Sequence, residues 1–167
     1  FFPQYKSFDR LIFVSDFSKQ KYLSFEPLYE TSAEVINNFS EIEFSRQINT
    51  KNQSYSYDFI YIGRLSKEKG ILSLLNSFKD TDFSLAIAGN GPLKKIVEDS
   101  ALTNANIEYL GELKNSQVSR YLSFSRFMIL PSRWYENNPL SVIEAFSLGV
   151  PCVGSNIGGI PELIEEG

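Results

Sequence analysis

From residue 57 onward, apolar runs of strand length alternate with stretches of helical periodicity, and few folds accommodate that alternation. The runs are "YDFIYIG" (57–63), "FSLAIAG" (83–89), "IEYLG" (107–111), "RFMILPS" (126–132) and "PCVGS" (151–155). Between them, helical patterns cover roughly 70–79, 92–102, 115–123 and 139–148. Strand, crossover helix and strand repeated in this way build a parallel sheet of βα units. Crossover helices cover both faces of such a sheet, so its strands read as nearly continuous apolar runs, as "FIYIG" and "FMILP" do. The expected fold is α/β, a Rossmann-like parallel sheet flanked by helices.

An earlier unit, "DRLIFVS" (9–15) followed by "DFSKQKYLSF", reads as a strand and a helix. The segment "SEIEFSRQINTKNQSYS" is polar and without period, which suits a linker. The expected organisation is therefore 1–40 as the tail of one domain, 41–56 as linker and 57–167 as a second domain. With 167 residues, 43% of them hydrophobic, the chain can bury one proper core but not two full ones. It opens on Phe1, its only methionine is Met128, and it stops at "GGIPELIEEG" where a further βα unit would be natural. It is read as an excerpt of a longer protein.

Charge and residue usage narrow the chemistry. A net charge of −4 and a pI near 5.0 leave no electrostatic footprint for nucleic acid, so any bound anion needs a few placed cations. There is no histidine, and Cys152 is the only cysteine, which excludes Cys-rich zinc sites and His-based nucleophilic machinery. Carboxylates, Lys, Arg, Tyr and backbone groups remain, with no metal expected. No run reaches the length of a membrane span and "FFPQYKSFDR" has no secretory pattern, so a cytoplasmic location is expected. The sequons at Asn38 and Asn52 then read as chance matches.

In open parallel sheets, ligands sit beyond the carboxyl ends of the strands. The first strand is followed by "GRLSKEKG", which sets Arg64 and Lys69 between Gly63 and Gly70. Arginine through its fork and lysine as a point charge suit a diphosphate, although a solvated surface loop would read alike if it stood alone. The second strand is followed by "GNGPLKK", where Gly89 and Gly91 permit close approach and Pro92 fits the first helical position. The third glycine of a dinucleotide fingerprint is missing. "DTD" (80–82) precedes a strand, so it falls at the amino end of the sheet and reads as a turn, not as a metal motif.

The segment "WYENNPLSVIEAFSLG" (134–149) is the most informative. Asn138 fits an N-cap, Pro139 the first helical position and Gly149 the C-terminal cap. The free N–H groups and positive dipole end of this helix would point into the cleft of Arg64 and Lys69. Glu144 shares a helical face with Leu140 and Leu148, where a carboxylate needs hydrogen-bond donors; two ribose hydroxyls would serve, and so would a basic residue. Glu136, before the cap, faces either solvent or the part of a ligand beyond its phosphates.

These stretches together resemble the nucleotide-sugar-dependent, retaining members of the glycosyl transferases group 1 family, of GT-B fold. The resemblance runs through "YIGRLSKEKGI", "LAIAGNGPL", "IEYLGEL", "LPSRWYENNPLSVIEAFSLGVPCVGS" and "GGIPELI" and covers nearly all of 57–167. Residues 9–38 are similar to the last unit of the family's N-terminal domain. The resemblance implies a C-terminal donor domain, with Arg64 and Lys69 on the diphosphate, backbone groups of Leu140 and Ser141 assisting, and Gly63 and Gly91 among the donor-binding residues. It places Glu144 on the ribose, Asn138 and Pro139 along the sugar, and Glu136 as the carboxylate near the reacting sugar. Pro139 stands where many relatives carry Gly, which removes a backbone donor. The implied substrate is a nucleoside-diphosphate sugar, with no separate cofactor. A carbohydrate or lipid-linked acceptor, such as a growing bacterial polysaccharide, would enter through the N-terminal domain, and peripheral membrane association of the longer protein is compatible. A sugar-nucleotide epimerase or phosphorylase of this fold, a non-catalytic regulatory module and a nicotinamide-binding domain are the alternatives.

Overall fold

The computed structural model describes residues 9–40 and 55–165. The N-terminal part is a small unit: β1 (Leu11–Phe13), α1 (Asp16–Leu23), a 3₁₀ segment over Pro27–Ser32 and β2 (Ala33–Val35), with β1 and β2 paired in parallel. The sequence reading anticipated β1 and α1 but not β2, whose three residues carry too little pattern to register. Most of the expected linker, 41–54, lies outside the described residues.

The second part is a five-stranded parallel sheet. Its elements are β3 (Tyr57–Ile62), α2 (Ile71–Phe78), β4 (Leu85–Ala88), α3 (Lys94–Thr103), β5 (Ile107–Gly111), α4 (Asn115–Ser123), β6 (Ser125–Leu130), α5 (Leu140–Ser147) and β7 (Cys152–Gly154). The strand order is β5-β4-β3-β6-β7. The chain thus winds outward from β3 to β5, then crosses back to place β6 on the other side of β3.

Alternation along the strands divides two cores. Ile60, Ala86 and Met128 face α4 and α5, meeting Val118, Leu122, Val142 and Ala145. Tyr61, Leu85 and Ile87 face α2 and α3, meeting Ile71, Leu74, Leu75 and Val97. The buried positions of α2, Ile71, Leu74, Leu75 and Phe78, follow the i, i+3, i+4, i+7 stripe of a helix lying on a sheet. Burying each such side chain is worth about 1.5–3 kcal/mol.

Two helix starts differ from the sequence reading. α3 begins at Lys94 instead of Pro92, because Leu93 first donates its N–H across to the carbonyl of Leu65 at 2.9 Å. α5 begins at Leu140 with Pro139 as its N-cap, because the side chain expected to cap it, Asn138, is engaged elsewhere. The other end is as expected. Gly149 takes a positive φ of 70°, its N–H bonds to Phe146 and that of Val150 to Ala145, the paired bonds of a Schellman cap.

Candidate functional site

In a doubly wound sheet the crevice opens where the strand order reverses, here between β3 and β6. The loops leaving these strands, 63–70 and 131–139, are held together. Arg133 donates its N–H to the carbonyl of Glu68 at 2.8 Å. Gly70 turns at φ 76°, and a Cβ there would lie 1.9 Å from the carbonyl oxygen of Pro131, so only glycine fits.

At this seam Lys69 Nζ stands 2.6 Å from Glu136 Oε1, and the same oxygen accepts the hydroxyl of Ser132 at 2.5 Å. The pair is mostly shielded, with side-chain exposures of 29% for Lys69 and 13% for Glu136. The sequence reading placed these two residues on different parts of a ligand; the structure joins them directly. It missed Ser132, which is buried beneath the carboxylate. The backbone of Glu136 is fixed as well, its carbonyl accepting the N–H of Gly159 at 2.6 Å. A Cβ on Gly159 would meet the carbonyl of Asn137 at 1.9 Å. The two glycines 158 and 159 therefore press against the loop that carries Glu136.

Arg64 is exposed, and its guanidinium has no hydrogen-bond or ion-pair partner among the described residues. Gly63, Arg64, Asn90, Glu112 and Leu113 line a cavity of about 320 Å³ across the carboxyl ends of β3, β4 and β5. Asn90 Nδ2 donates to Glu112 Oε2 at 3.2 Å on its rim. Gly91 does not line this cavity. A Cβ there would meet the backbone of Leu65 at 2.5 Å, so Gly91 packs one loop on the other.

On α5, Glu144 is half-buried and no described residue pairs with its carboxylate; burial raises its pKa above the ordinary glutamate value. At the start of the helix, Val142 and Ile143 donate their N–H groups to the carbonyl of Pro139, and those of Leu140 and Ser141 have no acceptor among the described residues. Asn138, only 5% exposed, accepts the N–H of Asn38 on Oδ1 at 3.0 Å and the Asn38 side chain on its carbonyl at 2.8 Å. Its own Nδ2 is buried without a hydrogen-bond partner among the described residues. Asn38 entered the sequence reading only as a sequon; its contact with Asn138, across 100 positions, has no local signature. Glu162 likewise caps α1 from a distance, accepting the N–H groups of Asp16 at 2.8 Å and Phe17 at 2.5 Å. Among the described residues no cluster of three or more acidic, Cys or His side chains could hold a metal ion, and no helix is long and apolar enough to cross a membrane.

An α/β domain with the Lys69–Glu136 pair at its topological switch point, and a helix start whose first N–H groups have no acceptor among the described residues, is fitted for a small anionic ligand. Comparison with known proteins gives the family. The model of the glycosyl transferases group 1 family matches residues 41–167, and the chain belongs to that family. It is 28% identical over 149 residues to N-acetyl-alpha-D-glucosaminyl L-malate synthase of Bacillus anthracis, covering 80% of this chain and 38% of that protein. It is 30% identical over 103 residues to the D-rhamnosyltransferase WbpZ of Pseudomonas aeruginosa, covering 60% of this chain and 27% of that one. The chain thus spans less than two fifths of the length of either relative. Among solved structures, HepE of Anabaena in complex with UDP and glucose superposes with a TM-score of 0.76 at 18% identity, over 95% of this chain and 47% of that one. The pneumococcal O-GlcNAc transferase GtfA with UDP and GlcNAc gives 0.71 at 19% identity, over 99% of this chain and 34% of that one. The fold is that of the GT-B glycosyltransferases.

Proposed function

We propose that the crevice between β3 and β6 binds a nucleoside-diphosphate sugar, and that the protein transfers its hexosyl group, with retention, to a carbohydrate or lipid-linked acceptor such as a growing bacterial polysaccharide. The observation that carries this reading is Glu144. A half-buried carboxylate with no partner among the described residues is costly unless a ligand supplies donors, and a ribose offers two hydroxyls. The complexes of HepE and GtfA with UDP support the choice of ligand class.

In this reading Arg64 and Lys69 hold the diphosphate, with the N–H groups of Leu140 and Ser141 completing the anion site. Gly63 lines the cavity that takes the nucleoside, against Glu112 and Leu113. Glu144 accepts from the ribose, and Asn138, with Pro139, lines the sugar, its buried Nδ2 being a free donor. Transfer breaks the bond from the sugar's C1 to the phosphate oxygen, leaving the electron pair on the diphosphate. Arg64, Lys69 and the helix N-terminus are preorganised to stabilise that charge, the kind of effect that usually dominates catalysis. The acceptor oxygen bonds to C1 and passes its proton to the departing diphosphate oxygen, which holds the released electron pair. Glu136, whose Oε1 already accepts from both Lys69 and Ser132, is fixed as a positioning charge beside the developing oxocarbenium centre and is not free to act as a base. Residues 57–165 form the donor unit and residues 9–40 the edge of the acceptor-side domain.

Calorimetric titration of the chain with UDP, GDP, ADP and NAD tests the reading. Preference for one nucleoside diphosphate supports it; equal indifference to all four, from folded protein, removes it.

A further inference from the structure

Tyr61 is fully buried, and its hydroxyl donates to the carbonyl of Arg64 at 2.8 Å. Its ring lies in the core beneath α2, with Leu65, Ile71 and Leu85. A phenylalanine would fill the same space with no polar atom to satisfy, so packing alone does not call for the oxygen. The carbonyl it holds belongs to the peptide that joins Arg64 to Leu65, and that unit is fixed at both ends. Its N–H, on Leu65, donates to the carbonyl of Asn90 at 2.9 Å, and its carbonyl also accepts the N–H of Ser66 at 3.1 Å. Just before it, the N–H of Gly63 goes to the carbonyl of Ala88 at 3.1 Å. Gly63 belongs to the same device: a Cβ there would lie 2.9 Å from the Tyr61 oxygen, which the core and its hydrogen bond keep in place. Burial pushes the Tyr61 hydroxyl far above the usual tyrosine pKa, and the charges of Glu136 and Glu68 add to the rise, so the group stays protonated and remains a donor.

We propose that Tyr61 is a positioning residue of the anion site: its buried hydroxyl sets the Arg64 peptide, and through it the direction in which the guanidinium leaves the end of β3. This rests on the reading of Arg64 as a cation for the diphosphate. Arg64 is exposed, and neither a hydrogen bond nor an ion pair holds its guanidinium among the described residues, so its backbone is what can aim it. A long side chain on a fixed backbone loses less freedom when it closes on a ligand than one on a mobile loop. The loop glycines, the hydroxyl and the buried Leu65 side chain thus form one support under a single exposed cation.

Tyr61→Phe removes one oxygen and keeps the ring. The test measures UDP affinity by calorimetry for this substitution made in the native protein, in Arg64→Ala and in Lys69→Ala. Tyr61→Phe is expected to weaken UDP about three- to tenfold in the native protein and in Lys69→Ala, and to have no further effect in Arg64→Ala. A role in stability alone would not distinguish the three backgrounds. Equal losses in all three, no loss in the native protein, or a loss that vanishes in Lys69→Ala and not in Arg64→Ala overturns the proposal. Hydrogen exchange of the ligand-free protein reads the same support without a nucleotide. Amides 63–66 are expected to exchange faster in Tyr61→Phe while those of α2 keep the native rate, and unchanged exchange over 63–66 overturns the proposal. Faster exchange there in a protein indifferent to UDP would remove the donor reading and leave the positioning of Arg64 standing.

Discussion

Lys69 Nζ and Glu136 Oε1 meet at 2.6 Å although 67 positions separate them. The contact joins the loops that leave β3 and β6, so it closes the switch point of the sheet with one ion pair. Because both side chains are largely shielded, removing the cation strands a carboxylate. Lys69→Ala is expected to lower stability by about 1–2 kcal/mol, between the values for exposed and buried pairs. Glu136→Gln is expected to cost less, since its amide oxygen still accepts from Lys69 and Ser132. Urea unfolding of the three proteins checks the order.

Glu144 gives the protein a pH dependence in the absence of ligand. Burial raises the pKa of its carboxyl in the folded state, so the folded form holds its proton more tightly than the unfolded chain does. The associated stability is fully present below the unfolded value of about 4.3 and is lost as pH rises through the folded value. Glu144→Gln removes this slope and is expected to leave the ligand-free protein as stable as the native one, or more so, at pH 7. Unfolding midpoints of both proteins from pH 4 to about 8 test the sign.

Two glycines separate steric from conformational cost. Gly159 has an ordinary backbone, but a Cβ would lie 1.9 Å from the carbonyl of Asn137. Gly111 has φ +74° and open space around it. Gly111→Ala should cost about 1 kcal/mol of left-handed strain alone. Gly159→Ala must displace the Glu136 loop and should cost more than twice that. Thermal unfolding reads both, and only the second is expected to weaken binding of a nucleotide sugar.

Glu162 acts on α1 from the far end of the chain. Both of its carboxylate oxygens accept helix N–H groups, beside the Ser15 side chain that caps Ser18. Glu162→Ala is expected to destabilise α1 by about 1–2 kcal/mol, the range for a lost N-terminal cap. Hydrogen exchange should speed up over residues 16–23 and stay unchanged in β3 and β4.

The sheet was legible because its strands and helices carry different periods. Leu85–Ala88 is buried on both faces, Tyr57–Ile62 is buried at Ile60 and Tyr61, and Ile71–Phe78 repeats its apolar positions every three or four residues. Arg64, Lys69 and Glu136 could be singled out because parallel strands put the loops that follow them at one end of the sheet, and Glu144 because a carboxylate on an apolar helical face needs a partner. Pairing within that end was not legible. Spacing does not say that Lys69 pairs with Glu136, that Ser132 lies beneath the carboxylate, or that Gly91 packs on Leu65 and does not line the cavity. The cap of α5 was misplaced by one residue for the same reason. Asn138 has the right chemistry for a cap, but a partner 100 positions away, Asn38, occupies its oxygen, and Pro139 takes the role through its backbone.

The most direct test of the donor site compares affinities of UDP, uridine and 2′,3′-dideoxy-UDP for the native protein, Lys69→Ala and Glu144→Gln. Lys69→Ala should weaken UDP at least about tenfold and leave uridine unchanged. Glu144→Gln should weaken UDP and uridine alike and leave the dideoxy compound, already weaker, unaffected. If Glu144→Gln instead weakens the dideoxy compound as much as UDP, the carboxylate does not hold the ribose, and the assignment of the crevice to a nucleoside-diphosphate sugar fails with it.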